Sequence, residues 1–366
     1  MSGPEVLIVG GGMIVHDQVL PSLYHLQRIG RVGAITICAR RAETLQALID
    51  AEPLRRAFPG QSFTGTLEPF HDALRRLSPR ETVFVAVPDQ LHHEFIMAAL
   101  ARDQNVCTVK PLVLEARQGA EIAAEAERRG LTVIIDYHKR FDDRSLMARR
   151  AYREGRFGEF RLGTACLFEK WHYRRSNFQN WMTADYSDVF TYIGCHYVDL
   201  VHFITGLLPV AVSVYGIRDR FPNGAEGYLW TDARVIWENG ACLNVQNALG
   251  YPDAAPGSNT QGLTMYCQGG ADGGLIAHSD QYRGLKYSYA EPASYSEPSP
   301  DYLQYVEWNG PGLAPTGYGY RSIEQMIARE SPLLATAANS GFNDAVIEAG
   351  RESLSQGGAL VSTQRR

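Results

Sequence analysis

Gly10-Gly11-Gly12 follows the apolar run Val6-Leu7-Ile8-Val9, and Lys110-Pro111 follows a second run, Val106-Cys107-Thr108-Val109. A glycine turn between a buried strand and a helix lets backbone N–H groups approach a pyrophosphate, because no side chain holds the anion away and the helix N-terminus favours negative charge. Open α/β sheets bind ligands beyond the carboxyl ends of their strands, so a lysine there lies beside whatever the turn holds. The chemistry this predicts is a bound dinucleotide with a proton donor next to it.

The turn fills the first two positions of a GxGxxG pattern with Gly10 and Gly12, while Val15 takes the third, where a small residue would let helix and strand pack closely. Met13 and Ile14 complete the expected contacts at the helix start. The second strand ends in Ile37-Cys38-Ala39-Arg40-Arg41, with no carboxylate before Glu43 to hold a ribose 2′-hydroxyl. Arg40 and Arg41 can pair with a 2′-phosphate, so both NAD and NADP are admitted; a solvated arginine pair is the alternative. Val87-Pro88-Asp89 ends another strand, with His92 just inside the next helix, and this turn is expected to face the cofactor. Asp89 could equally be that helix's N-cap.

Glu169 to Trp181 (EKWHYRRSNFQNW) has no clean periodicity. Aromatics alternating with hydrogen-bonding groups suit a sugar, whose apolar ring face stacks while its hydroxyls need partners, which makes Trp171 a candidate contact. A loop packed on the core or at a subunit interface explains the same residues.

The elements that must position these groups change character along the chain. Up to about residue 136, Val6–Val9, Ala34–Cys38, Val83–Val87, Cys107–Val109 and Thr132–Ile135 read as parallel strands buried on both faces, with helical stretches Thr44–Ala51, Leu91–Asp103 and Ala116–Arg129 between them. That alternation predicts a doubly wound parallel sheet. After helical Ser145–Glu154, the partly alternating runs Phe160–Glu169, Val210–Ile217, Leu229–Trp237, Ala241–Leu249 and Leu263–Gln268 predict a mostly antiparallel, open α+β sheet. Pro252–Asn259 and Ala290–Pro311 read as loops, Tyr320–Glu330 and Phe342–Ser353 as helices. The domains expected are 1–138 and 139–366.

Composition narrows the function. The 366 residues are 45% hydrophobic and 20% charged, which is globular. A net charge of -5 and basic runs no longer than arginine pairs argue against nucleic acid. No apolar run is long enough to span a membrane, and the first residues lack a basic leader, so a cytoplasmic protein is expected. Six scattered cysteines without CxxC spacing read as buried thiols, with no metal site.

The glycine turn, Val87-Pro88-Asp89-x-x-His92, Lys110-Pro111, Asp136-Tyr137-His138-Lys139-Arg140-Phe141 and Tyr192-Ile193-Gly194-Cys195-His196-Tyr197-Val198-Asp199 follow one another in an order that resembles the Gfo/Idh/MocA oxidoreductases. The resemblance covers nearly the whole chain and implies an N-terminal Rossmann domain, a nicotinamide cofactor and homo-oligomers, dimers or tetramers. It carries the family's active-site lysine to Lys110 and its histidine to His196, while Val109 replaces the motif glutamate and Tyr192 the acid four residues before the histidine. Asp199 is retained, and on a helix it shares a face with His196. Arg140 joins the expected cofactor contacts. His138 joins Lys110, Trp171, Tyr192 and His196 as a substrate contact.

Oxidising a secondary alcohol requires removal of the hydroxyl proton, which a histidine near neutral pKa can accept, while a lysine hydrogen-bonds the same oxygen. The expectation is an NAD(P)-dependent dehydrogenase or reductase of a sugar, cyclitol or sugar derivative. Redox-neutral cleavage of a glycoside through transient oxidation and elimination is the alternative enzyme class. A non-catalytic dinucleotide-binding regulator would need neither Lys110 nor His196.

Overall fold

Val6–Val9, Ile35–Cys38, Thr64–Thr66, Thr82–Val85, Asn105–Val109 and Val133–Asp136 form strands β1 to β6. Every residue of β1, β4 and β6 is buried, as strands covered on both faces must be. The computed structural model describes residues 3–279, 289–291, 294–296 and 301–364. The strands pair in parallel in the order β6-β5-β4-β1-β2-β3, with crossover helices that include Leu20–Arg28, Ala42–Ile49, His92–Leu100 and Ala116–Arg129. The order reverses between β1 and β4, which is where a doubly wound sheet opens its ligand crevice.

The chain divides into two units, and the first takes Met1–Val113, Arg117–Phe141 and Pro300–Asn339. This differs from a division at 138/139, because residues 300–339 fold into the first unit. Tyr318, Ile323, Met326 and Ile327 of the Tyr318–Ala328 helix join the core of Ile8, Leu23, Ile37 and Phe84, and Ala335–Thr336 adds an antiparallel strand to the β6 edge. The loop expected over Ala290–Pro311 also differs. Tyr289–Glu291 pairs with Ser294–Ser296, and Gln304–Val306 with Ala314–Thr316; residues 292–293 and 297–300 lie outside the described residues. Ladders of three residues are too short to show the alternation that reveals a strand.

In the second unit Glu159–Lys170, Pro209–Arg220, Glu226–Trp237, Cys242–Tyr251, Asn259–Gln268 and Gly274–Ser279 form β7 to β12. Their order is β12-β11-β7-β10-β9-β8, antiparallel except for β7 beside β10, and Val361–Ser362 pairs with the β8 edge. Along β10, buried Leu243, Val245 and Asn247 alternate with Cys242, Asn244 and Gln246. The Gly341–Ser355 helix lies on the buried face, where Ser353 Oγ accepts the Val214 N–H at 2.8 Å. All six cysteines are free thiols. Among the described residues no helix is long and apolar enough to cross a membrane.

Candidate functional site

In the first unit the glycines divide their tasks. Gly10 ends β1 at φ +99°, and a Cβ there would lie 2.1 Å from the Ala86 carbonyl oxygen at the end of β4. Only glycine satisfies both demands. A Cβ on Gly11 would meet Thr44 Cγ2 at 2.8 Å, whereas a Cβ on Gly12 would meet no heavy atom within 4 Å beyond its own stretch of backbone. Gly12 therefore opens onto unfilled space at a helix start, which is the cradle a pyrophosphate needs, and the turn fits a dinucleotide. Met13 is exposed and Ile14 half-buried. Val15, fully buried in the third motif position, begins a π-helical turn, Val15–Val19, that leads into Leu20–Arg28. The wider turn accommodates a branched side chain where a small residue would allow close packing.

Arg40 and Arg41 are exposed beyond β2, and Arg41 holds the N-cap position of the next helix without a side-chain cap bond. Val87 and Pro88 are half-buried after β4. Asp89 is buried and opens the short 3-10 turn Asp89–Leu91. It is not the N-cap of the following helix, since Leu91 holds that position. His92 is fully buried, with Nδ1 2.7 Å from the Pro111 carbonyl and Nε2 2.9 Å from the Val87 carbonyl. Its ring therefore clamps the ends of β4 and β5 to each other, with both nitrogens against backbone oxygens. That clamp supports Lys110, which is half-buried one residue beyond β5.

His138 packs between Tyr302 and Tyr318, at ring distances of 5.4 and 5.5 Å, with Nδ1 3.7 Å from Asp136 Oδ2. Burial pushes its pKa below the usual histidine value despite the opposing pull of Asp136, and the charges of Lys139 and Lys110 act in the same direction as burial. Arg140 is buried, and its Nη1 donates to the Leu333 carbonyl at 3.1 Å.

In the second unit Asp188 prepares the histidine motif. Its carboxylate accepts from the Thr191 N–H at 2.8 Å and the Thr191 hydroxyl at 2.6 Å, at the start of the π-helical segment Phe190–Gly194. The Cys195–Thr205 helix continues from that segment and carries His196 and Asp199, 5% and 1% exposed, one turn apart. Asn343 Nδ2 donates to the Cys195 carbonyl at 3.0 Å. A Cβ on Gly194 would lie 2.8 Å from Asn247 Oδ1 and 2.5 Å from the Phe190 ring, so this glycine is set by close packing under the turn.

Tyr192 meets Phe178 and Trp181 edge-on, at 5.0 and 5.7 Å, and Tyr173 stacks on Phe178 at 5.7 Å. The stretch from Glu169 to Trp181 is thus partly core, with Phe178 and Trp181 buried. Trp171 remains 39% exposed, one face covered by the Arg174 guanidinium at 3.8 Å. Arg174 is buried; it donates to the Leu249 carbonyl at 2.6 Å and pairs with Asp219 at 2.5 Å, which holds the Asp219 carboxyl below the usual carboxylate range. Neither Arg174 nor Asp188 stands in a motif, so only their burial beside apolar residues could have signalled them.

Residues 5–137 match the family model described as an oxidoreductase family with an NAD-binding Rossmann fold, and residues 145–271 match the Gfo/Idh/MocA C-terminal domain. The chain belongs to the Gfo/Idh/MocA oxidoreductase family. Its first unit carries the family's NAD-binding Rossmann fold and its second the family's C-terminal domain. A 1-carboxy-3-chloro-3,4-dihydroxycyclohexa-1,5-diene dehydrogenase of Comamonas testosteroni is 24% identical over 215 residues, 57% of this chain and 53% of that one. The stretches matched span about half or less of the length of the curated relatives. Among solved structures, GenD2 from gentamicin A biosynthesis, in complex with NAD, superposes with a TM-score of 0.75 at 17% identity, over 100% of this chain and 97% of the other. Scyllo-inositol dehydrogenase from Lactobacillus casei, with bound NAD(H) and scyllo-inositol, superposes with a TM-score of 0.71 at 14% identity, over 99% of both chains. At these identities the likeness is one of fold.

Proposed function

We propose that this Gfo/Idh/MocA protein is a nicotinamide-dependent dehydrogenase or reductase that exchanges a hydride with a secondary alcohol or ketone of a sugar, cyclitol or sugar derivative. The observation that carries the reading is the pairing of retained groups: a half-buried lysine one residue past β5, in the unit with the open glycine turn, and a buried His196 one helical turn from Asp199. A regulator that only senses a dinucleotide has no use for either. The substrate class is supported by relatives named for cyclic polyols, among them the scyllo-inositol enzyme, and by the part-exposed ring of Trp171.

A bound nicotinamide supplies the hydride exchange. In oxidation His196 takes the hydroxyl proton as general base before or as the hydride leaves, and Asp199 one turn along steadies the imidazolium that results. Lys110 donates a hydrogen bond to the same oxygen, stabilising alkoxide in oxidation and polarising the carbonyl in reduction. Tyr192, in the position of the motif acid, is held by two aromatic neighbours and contacts the substrate with its hydroxyl. We further read the chain as a homo-oligomer.

The test follows reduced-nicotinamide absorbance with purified protein and a panel of sugars, cyclitols and glycosides. Lys110→Ala and His196→Ala should each lower turnover about a hundredfold or more, with dinucleotide affinity and melting temperature little changed. Their joint loss should fall short of the product of the two, because groups serving one proton transfer fail together. Near-normal turnover in either variant would sink the reading, and product formed without net change in the cofactor would replace it with redox-neutral cleavage.

A further inference from the structure

Asp136 ends β6, is 2% exposed, and stands in register with Val109 of β5, the residue before Lys110. Paired residues on neighbouring strands direct their side chains to one face of the sheet. The carboxylate of Asp136 therefore occupies the same face, one strand across, as a side chain at position 109, where the family motif has glutamate and this chain has valine.

Two side chains donate to the Asp136 carboxylate. The Tyr302 hydroxyl donates to Gln18 Oε1 at 2.7 Å, which turns Gln18 Nε2 toward Asp136 Oδ2, 2.9 Å away. The Ser322 hydroxyl donates to Asp136 Oδ1 at 2.6 Å. Both carboxylate oxygens accept a hydrogen bond, the role a carboxylate fills. A buried anion needs a cation nearby. His138 does not provide one at neutral pH, since burial disfavours its protonation. Among the described residues the cations that act in this neighbourhood are Lys110 and Lys139, whose charges act on His138, and Arg329, whose charge opposes that of Asp136 on the Cys107 thiol. The other titratable groups packed here are Tyr302 and Tyr318. Of the three cations, Lys110 follows the register partner of Asp136 directly in sequence.

We propose that Asp136 is a positioning residue whose buried carboxylate replaces the missing motif glutamate as the counter-charge that keeps Lys110 protonated. The assignment rests on the functional reading of Lys110 but is tested without turnover. Competitive acetylation with acetic anhydride, read by mass spectrometry of the Lys110 peptide across pH, gives the midpoint at which that amine loses its proton. Asp136→Asn should lower the midpoint by about one pH unit, the size of the effect of one nearby unit charge in a partly screened site. Adding Val109→Glu to Asp136→Asn should restore it, and Val109→Glu alone should raise it. An unchanged midpoint in Asp136→Asn, or a fall that Val109→Glu does not reverse, overturns the proposal. Should Asp136→Asn fail to fold, Val109→Glu alone decides, and an unmoved midpoint there is equally fatal. Full turnover in Lys110→Ala would instead remove the functional reading while leaving the charge assignment standing.

Discussion

Arg40 and Arg41 extend into solvent one residue past the buried Ala39 at the end of β2, where a dinucleotide-binding sheet commonly presents a carboxylate to the ribose. Two guanidinium groups repel nothing on a 2′-phosphate and can fork around it. Arg40→Ala should therefore weaken NADP binding about tenfold, roughly the worth of one charge-assisted hydrogen bond, and leave NAD within about twofold, both read by calorimetric titration. Equal losses for the two cofactors would reduce the pair to solvated surface. What was legible is position: the glycine turn stands after β1, Lys110 one residue past β5, and His196 three residues before Asp199 on one helix, each where its motif puts it. Asn247, which approaches Gly194, and Asp136, across from Val109, were not legible as partners. Their roles depend on which strand lies next to which, and nothing local records that.

At the scale of elements, strands buried on both faces and the long crossover helices announced themselves through apolar runs and 3.6-residue periodicity, and Ala116–Arg129 falls where the pattern put it. After residue 300 the helix expected over Tyr320–Glu330 is present as Tyr318–Ala328, but the Gln304–Val306 and Ala314–Thr316 strands did not show, because they are short, and the contacts Arg28 makes with this stretch are polar. Arg28 of the Leu20–Arg28 helix lies over the Trp308 ring at 4.2 Å and donates to the Pro311 carbonyl at 3.0 Å, to the Leu313 carbonyl, and through Nε to His25 Nδ1 at 3.0 Å. His25 must be neutral to accept that bond, and burial, aided by Arg28, pushes its pKa down to about 4. A histidine depressed in the folded state stabilises fully above its unfolded value near 6.5 and loses that contribution as pH falls toward 4. The melting temperature should fall between pH 6.5 and 4 by about 3 °C more in the native chain than in His25→Gln, whose amide oxygen still accepts from Arg28. Parallel melting curves across that window would mean that the Arg28 attachment does not respond to acid.

For the whole molecule, the outward face of the second unit's sheet carries an apolar row across six strands. Leu275, Tyr266, Leu162, Cys242, Ile236 and Ala211 stand in successive register on β12, β11, β7, β10, β9 and β8. Leu275, Tyr266 and Leu162 are 54%, 55% and 50% exposed. Alternation along β7 to β11 was readable as one buried face and one free face, but the row itself appears only when the register is known, since its members are scattered from residue 162 to residue 275. A continuous apolar stripe on an open sheet exposes surface whose burial is favourable, and a second copy of the same face supplies a matching stripe about a twofold axis. Leu162→Asp combined with Tyr266→Asp puts two carboxylates at adjacent register positions in the middle of that stripe, where a self-associating face would bring them against their own copies. Light scattering should then give a lower particle mass than the native chain at the same micromolar concentration, with circular dichroism unchanged. A native chain that scatters as a monomer, or a double variant that keeps the native mass, would exclude this face as the subunit contact.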